Sequence, residues 1–527
     1  MRLITFMLVL LASSACAVTD ITSLSAKQQI DLMQSGELTS EQIVAAYIDR
    51  IQKMNRNGPS IQAMISLNPN ALAQAKALDA MRKSGDIMGP LHGVVVIAKD
   101  NIETSELPTT AGSLALINND TGRDAPIIQK LKDAGAIILG KTNLSEWANF
   151  RSESSISGWS AVGGQTRNPH SLDRTACGSS SGTGAAIAAN FAAMGIGTET
   201  NGSIICPAAM NGIVGVKPTV GLWSRYHIVP ISVTQDTAGP MTRSVYDAAL
   251  LLEVAAGSDE ADPATKDADG KKQAYTNLLG RSVEGVRVGV LRSRQSNHPE
   301  IIDAFNSSLA ALEAMGVELV DIDSFEMPEE FWSKAYDLLL IEFKEELNKY
   351  LASTGDNVNV KTLAQLIAFN SSSPRELALF DQNILEKSQA TDGYNAAYED
   401  IRAFLRKATR DEGIDKLLRE YEVDAIVAPS QNPAFLIDAV YGDNFNGGTG
   451  AGWLAAIAGY PQVSIPMGTM KGLPVNFSFM GTAWSEGLLL NLAYQLEQQT
   501  QAIVPPTFAP NAFEHDATSE ALRVYNQ

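Results

Sequence analysis

The stretch 177–207, CGSSSGTGAAIAANFAAMGIGTETNGSIICP, constrains the fold more than any other part of the chain. Residues 178–182 are a Gly/Ser cluster with no bulk to pack and little local preference. Residues 183–194 are rich in Ala and Ile, small enough for a helix buried on most sides. Residues 195–198 read as a short strand, and Thr200-Asn201-Gly202-Ser203 as a second turn. One helix–strand unit therefore carries a serine-bearing turn at each end. Folded back on itself, it brings the two turns together and sets two hydroxyls, Ser179 and Ser203, near one another. Gly/Ser turns are most often mere connections, but here they frame an apolar helix on both sides.

Two motif matches fail on context. Gly178-Ser179-Ser180-Ser181-Gly182 fits G-x-S-x-G, the nucleophile elbow, which needs a strand immediately before it. The residues before it, 167–174, are a polar loop. Gly135 to Thr142 fits the P-loop expression letter for letter, but a P-loop needs a flexible loop between a strand and a following helix. Here the intervening residues are apolar strand formers and the helix precedes them, which makes Lys141 structural and excludes a nucleotide site.

The run 94–98, Val-Val-Val-Ile-Ala, fits a strand buried on both faces, and Lys99 stands at its end. Desolvation there lowers a lysine's pKa because it penalises the charged form, and a neutral lysine can serve as a base. A strand-end lysine can equally reach solvent, and the residues alone leave both readings open. There are five histidines, none in a convincing hydrolase context. A serine nucleophile here needs another base, and lysine variants of the triad exist.

On these residues the chain resembles the amidase signature family. The likeness rests on the 178–182 loop, the 199–205 turn, their ungapped spacing, and the upstream Lys99-Asp100. The sequence departs from the usual pattern with Cys177 and Ser181 for glycines, Glu199 for Asp, Asn201 for Gly and Ile205 for the frequent Arg. Its wording is similar to the branch of bacterial peptide amidase and related plant amidases, from about residue 24 to 506. The resemblance implies a Ser203–Ser179–Lys99 relay. Ser203 attacks the amide carbonyl, and Ser179 passes the proton to Lys99 and back to the leaving amine. It also implies a cis peptide before Ser179. The backbone N–H groups of Thr200, Asn201, Gly202 and Ser203 offer an oxyanion hole, where Asn201 for Gly matters little. Ser180 and Glu199 are expected to support the serines from behind, with the role of Glu199 open because Ile205 removes its arginine partner. No metal or cofactor is expected. The branch favours peptide C-terminal amides, releasing ammonia. The other readings are fatty, aryl or small aliphatic amides, and a non-catalytic or amidotransferase-type scaffold.

The expected fold is α/β: an α/β/α sandwich around a large mixed, mostly parallel sheet. The parts are a core with all the candidate chemistry at 24–257, a helical cover at about 283–422 and a return to the sheet at 423–506. Residues 1–17 read as a signal peptide, with Arg2, an apolar run too short to span a bilayer, and cleavage after Ala17. The expectation is export, to a periplasm; a lipoprotein cysteine at Cys16 is the weaker alternative, since Ser13 suits it poorly. The remaining Cys177 and Cys206 either pair or stay as buried thiols. With 59 acidic against 40 basic side chains the charge is −19, which argues against nucleic acid or an anionic membrane as partner. No later segment is long and apolar enough to be transmembrane.

Overall fold

In the computed structural model, which describes residues 20–515 and Thr518 apart from Ser324 and Asn446, the run at 94–98 lies inside an eleven-stranded sheet. The expected leader at 1–17, with Cys16, falls outside the described residues. In chain order the strands are β1 Met64–Leu67, β2 Val95–Lys99, β3 Ile137–Thr142, β4 Met194–Glu199, β5 Val214–Lys217 and β6 Thr237–Thr242. They continue as β7 Arg287–Leu291, β8 Glu318–Ile322, β9 Ala425–Pro429, β10 Gln462–Met470 and β11 Leu473–Met480. Across the sheet the order is β1-β3-β2-β4-β6-β5-β10-β11-β9-β7-β8. The sheet is mixed, as expected. Its parallel pairing lies in two blocks, β3-β2-β4 and β9-β7-β8, and antiparallel pairs join them.

Every residue of β2 is buried, the continuous apolar pattern of a strand covered on both faces. Helices Val245–Ala255, Pro299–Ala314 and Glu486–Thr500 pack along one face. Two short helices, Ser181–Ala188 and Ile205–Met210, pack together on the other. They lie close because the sheet offers them glycines: a Cβ on Gly195 would stand 2.7 Å from Thr183 Cγ2, and one on Gly215 2.6 Å from Ala208 Cβ. At the N-terminal end, Thr39 and Gln42 form a capping box on helix Ser40–Met54, which buries Ile43, Val44, Tyr47 and Ile51.

One expectation is corrected, and two further segments depart from their local sequence pattern. The helix placed at 183–194 ends at Ala188, because Asn190 takes a left-handed conformation (φ 60°) and turns the chain before β4. The proline-bearing segment 230–240 ends in strand β6, and Pro240 sits inside it against Ile196. The charged stretch 375–418 of the cover is broken into Asn383–Gln389, Ala396–Arg406, a widened turn Lys407–Ile414 and Asp415–Glu420. Gly393 at φ 70° and the cap at Asn395, whose side chain accepts from Tyr398 N, separate the first two. The cover helices Phe331–Ala352 and Leu363–Ser372 pack on Trp147, Phe150, Val229 and Ile231, and so roof the loops around the serine turns. Lys141 is structural, as its strand setting required: it is buried in β3, 3.1 Å from Asp100, and donates to Thr109 Oγ1 at 2.7 Å. Among the described residues no helix is long and apolar enough to cross a membrane.

Candidate active site

β2 and β4 are parallel neighbours, in register at Ile97–Gly195 and Ala98–Ile196, so they deliver Lys99 and the 200–203 turn at their shared carboxyl end. Open α/β sheets place ligands at that end. The loop 177–180 comes back to the same place, held by β4. Ser180 Oγ donates to Thr198 O at 3.1 Å and accepts from Thr198 N at 3.2 Å. Ser180 N donates to Ser203 O at 3.2 Å, joining the two serine turns directly. A Cys177–Cys206 disulfide joins them a second time, two residues before Ser179 and three after Ser203. The pairing that the sequence left open is therefore present. The Gly178–Ser179 peptide is cis, as the resemblance implies.

Lys99 is wholly buried, with Nζ 2.7 Å from Ser179 Oγ. Its other neighbours both belong to Thr198: Oγ1 at 2.8 Å and the carbonyl at 3.3 Å. Asn101 Nδ2 donates to Thr198 Oγ1 at 3.0 Å and fixes that hydroxyl. Burial pushes the lysine down to about 7, against the charges of Asp236 and Glu199, which hold it up. A neutral amine has two N–H bonds and one lone pair. With both N–H bonds turned to Thr198, the lone pair faces the Ser179 hydroxyl.

Ser203 lines a cavity of about 370 Å³; Ser179 and Lys99 lie behind it, fully buried. No hydrogen bond joins the two serine hydroxyls in this arrangement; the contact between their turns is the Ser180–Ser203 backbone bond and the disulfide. The backbone N–H groups of Thr200, Asn201, Gly202 and Ser203 have no acceptor among the described residues, and all four residues line the cavity. Thr200 is turned so that its hydroxyl donates to Asp236 Oδ1 at 2.6 Å, while Asp236 Oδ2 accepts from Ile231 N and Ser232 N. Glu199, whose role the sequence left open, accepts from Ile204 N at 2.8 Å and Ile205 N at 3.0 Å. It thereby fixes the start of the helix that follows Ser203. A second cavity of about 470 Å³, touching Asn101 and Thr198, meets the first at Ala148, Thr200 and Ile231.

Sequence reasoning missed Thr198, Asn101 and Asp236. Thr198 had a signal, since it stands one residue before Glu199 on the strand that carries the turn. Asp236 had none, because its partners lie 36 positions back and within its own loop. A glycine-rich loop lines the cavity through Phe445, Thr449 and Gly450.

The family model for amidases matches residues 42–490. The crystal structure of native peptide amidase from Stenotrophomonas maltophilia is 45% identical, with a TM-score of 0.87, over 92% of this chain and 99% of that one. A probable amidase of Arabidopsis thaliana is 37% identical over 89% of both chains. A putative amidase of Schizosaccharomyces pombe is 34% identical over 90% of this chain and 85% of its own. With the match running nearly end to end, through the sheet, both serine turns and Lys99, this chain belongs to the amidase signature family and is an amidase.

Proposed function

We propose that the chain removes the C-terminal amide group of peptides as ammonia, through an acyl-enzyme on Ser203. Ser203 Oγ attacks the carboxamide carbon and passes its proton to Ser179 Oγ, whose own proton goes to the Lys99 lone pair. The oxyanion forms among the free N–H groups of residues 200–203; losing one such donor typically costs about 3 kcal/mol. The proton then returns through Ser179 to the amide nitrogen, the C–N bond breaks and ammonia leaves. Water attacks the ester by the same route in reverse. The transfer between the serines needs Ser203 to turn towards Ser179, a tightening common in sites without substrate. The observation that carries the reading is Lys99: a wholly buried amine, pushed to about 7, within 2.7 Å of Ser179 Oγ. The peptide substrate is supported by the likeness to peptide amidase across nearly the whole chain. We also propose export to a periplasm, on the 1–17 leader and a disulfide that suits an oxidising compartment.

The test is ammonia release from a short peptide carboxamide, beside amine release from an anilide and hydrolysis of a long-chain fatty amide. Ser203→Ala should lower turnover at least about 10³-fold. Turnover of the anilide or fatty amide with none of the peptide amide would keep the chemistry and discard the substrate. Near-normal activity in Ser203→Ala would overturn the mechanism.

A further inference from the structure

The wall of the Ser203 cavity carries no charged side chain and no histidine among the described residues. This is not typical of the molecule, in which 19% of residues are charged. The adjoining cavity is lined by Arg225, His227, Asp236, Asp262, Glu346 and Lys349. The carboxylates that approach the Ser203 wall from behind are turned away and occupied. Asp443 accepts from Ser157 N at 3.0 Å and from the Ser157 hydroxyl, Glu199 accepts from the amides of Ile204 and Ile205, and Asp236 accepts from the Thr200 hydroxyl, while the Arg294 guanidinium lies over the Trp453 ring at 5.8 Å without lining the cavity. What the wall does present is of two kinds. Phe150, Ile205, Ile231, Leu339, Phe445 and Trp453 are apolar, while Asn149, Ser430, Gln431 and Thr449 are neutral hydrogen-bonding groups.

A primary amide leaves only ammonia on the amine side. Everything of size in the substrate is then on the acyl side, and the residue bearing the amide must sit against this wall. About 370 Å³ lies at the small end of ligand pockets, room for one large side chain and a short length of backbone. Neutral polar groups can meet the peptide N–H and C=O groups, and the apolar ones the side chain. A carboxylate or ammonium in the same place is desolvated with no counter-charge in the wall to meet it directly, which is costly. We infer that the enzyme selects peptide amides by the charge of the C-terminal residue: apolar and neutral residues are accepted, and acidic and basic ones are rejected. This rests on the peptide-amide reading above.

The test is kcat/KM for acetyl-Gly-X-amides with X as Phe, Leu, Gln, Glu and Lys, at a pH above the Lys99 titration. Gln and Glu have the same shape, so their ratio isolates charge. Phe and Leu amides should be best, and Glu and Lys amides should fall at least about tenfold below Gln. Glu or Lys amides within tenfold of Gln would overturn the inference while leaving the peptide reading intact. Failure of every X-amide, with turnover of a fatty amide or anilide, would end both. Leu339→Lys supplies an independent arm, since the residue is half-buried and lines the cavity from the cover helix, outside the serine turns themselves. It should raise the Glu-to-Gln ratio at least about tenfold and leave the Lys amide poor. An unchanged ratio in a folded variant would count against the wall as the selector.

Discussion

Replacing Lys99 by methionine tests one buried amine in two independent ways. Burial takes the ammonium out of water and pushes the group from 10.5 to about 7. A relay that ends on a neutral amine then has an acid limb in kcat/KM near that pH. Below it Lys99 already holds a proton and cannot take one from Ser179; above it the rate is flat until another group titrates. Folding feels the same titration. In the unfolded chain Lys99 keeps its proton up to about pH 10.4, whereas the folded chain releases it near 7. Between the two, the unfolded state binds more protons, so stability rises with pH through that window. Below it both states are protonated and the folded state bears the full penalty. The fall from 10.5 to about 7, at about 1.4 kcal/mol per pH unit, comes to about 5 kcal/mol. Lys99→Met removes this dependence, while the lost contacts to Ser179 and Thr198 give an offset that does not vary with pH. Urea unfolding of both proteins from about pH 6 to 10 should therefore show the difference moving towards the variant by about 4 kcal/mol as pH falls. Titrating groups that do not interact with Lys99 cancel in the comparison; Asp236 and Glu199, whose charges act on it, do not. A flat difference, with an acid limb near 10, would leave Lys99 an ammonium at neutral pH and refute the burial argument.

Three further outcomes follow from named contacts. Glu199→Ala removes the acceptor of two amide N–H groups after Ser203, so kcat should fall with little change in KM and stability should drop by about 1–2 kcal/mol; Glu199→Gln keeps an acceptor and should restore most of the rate. Reduction of Cys177–Cys206 releases one of the two ties between the serine turns, and should lower kcat several-fold in steady-state assays. Across a sequence separation of 29, it should also cost about 3–4 kcal/mol of unfolding free energy. Arg151 is buried against Glu146 at 2.6 Å and Glu376 at 3.4 Å, joining the site loop to the cover. Arg151→Met leaves two buried carboxylates unpaired and should cost about 3–5 kcal/mol in urea unfolding near pH 8. The loss should shrink towards pH 5, because burial already raises Glu146 and it can take up a proton there.

What the sequence made legible was what local chemistry decides. The continuous apolar run placed β2 and put Lys99 at its end. The turn residues marked both serine loops, and the apolar filling of the P-loop lookalike marked it as strand. What escaped was decided by neighbours. Strand β6, Thr-Ala-Gly-Pro-Met-Thr, has no alternation and an internal proline, and it is a strand only because β4 and β5 flank it. The helix end at Ala188 depends on one left-handed asparagine in a run of alanines that reads as continuing helix. Asp236 and Thr198 matter through what they hold in place, a property of contacts and not of any local pattern. The Cys177–Cys206 pairing was open for the same reason, since only the return of the loop to β4 brings the two sulfurs together.

The departure of Ile205 from the frequent arginine, which left the purpose of Glu199 unsettled, becomes consistent once the contacts are known. Glu199 does not need a cation beside it to have a structural task, because one oxygen accepts from two backbone amides at the start of helix Ile205–Met210. A positive charge is still nearby. Lys217 on β5 is wholly buried and pushed down to about 8 by desolvation, while Glu199 and Glu486 hold it up. The balancing charge thus comes from within the sheet. An arginine at 205 would stand in the cavity wall two residues from the nucleophile, where it would attract acidic acyl groups. With isoleucine there, the turn keeps its geometry and the wall stays neutral. The same substitution that weakens the family pattern is therefore the one that lets the pocket discriminate by charge.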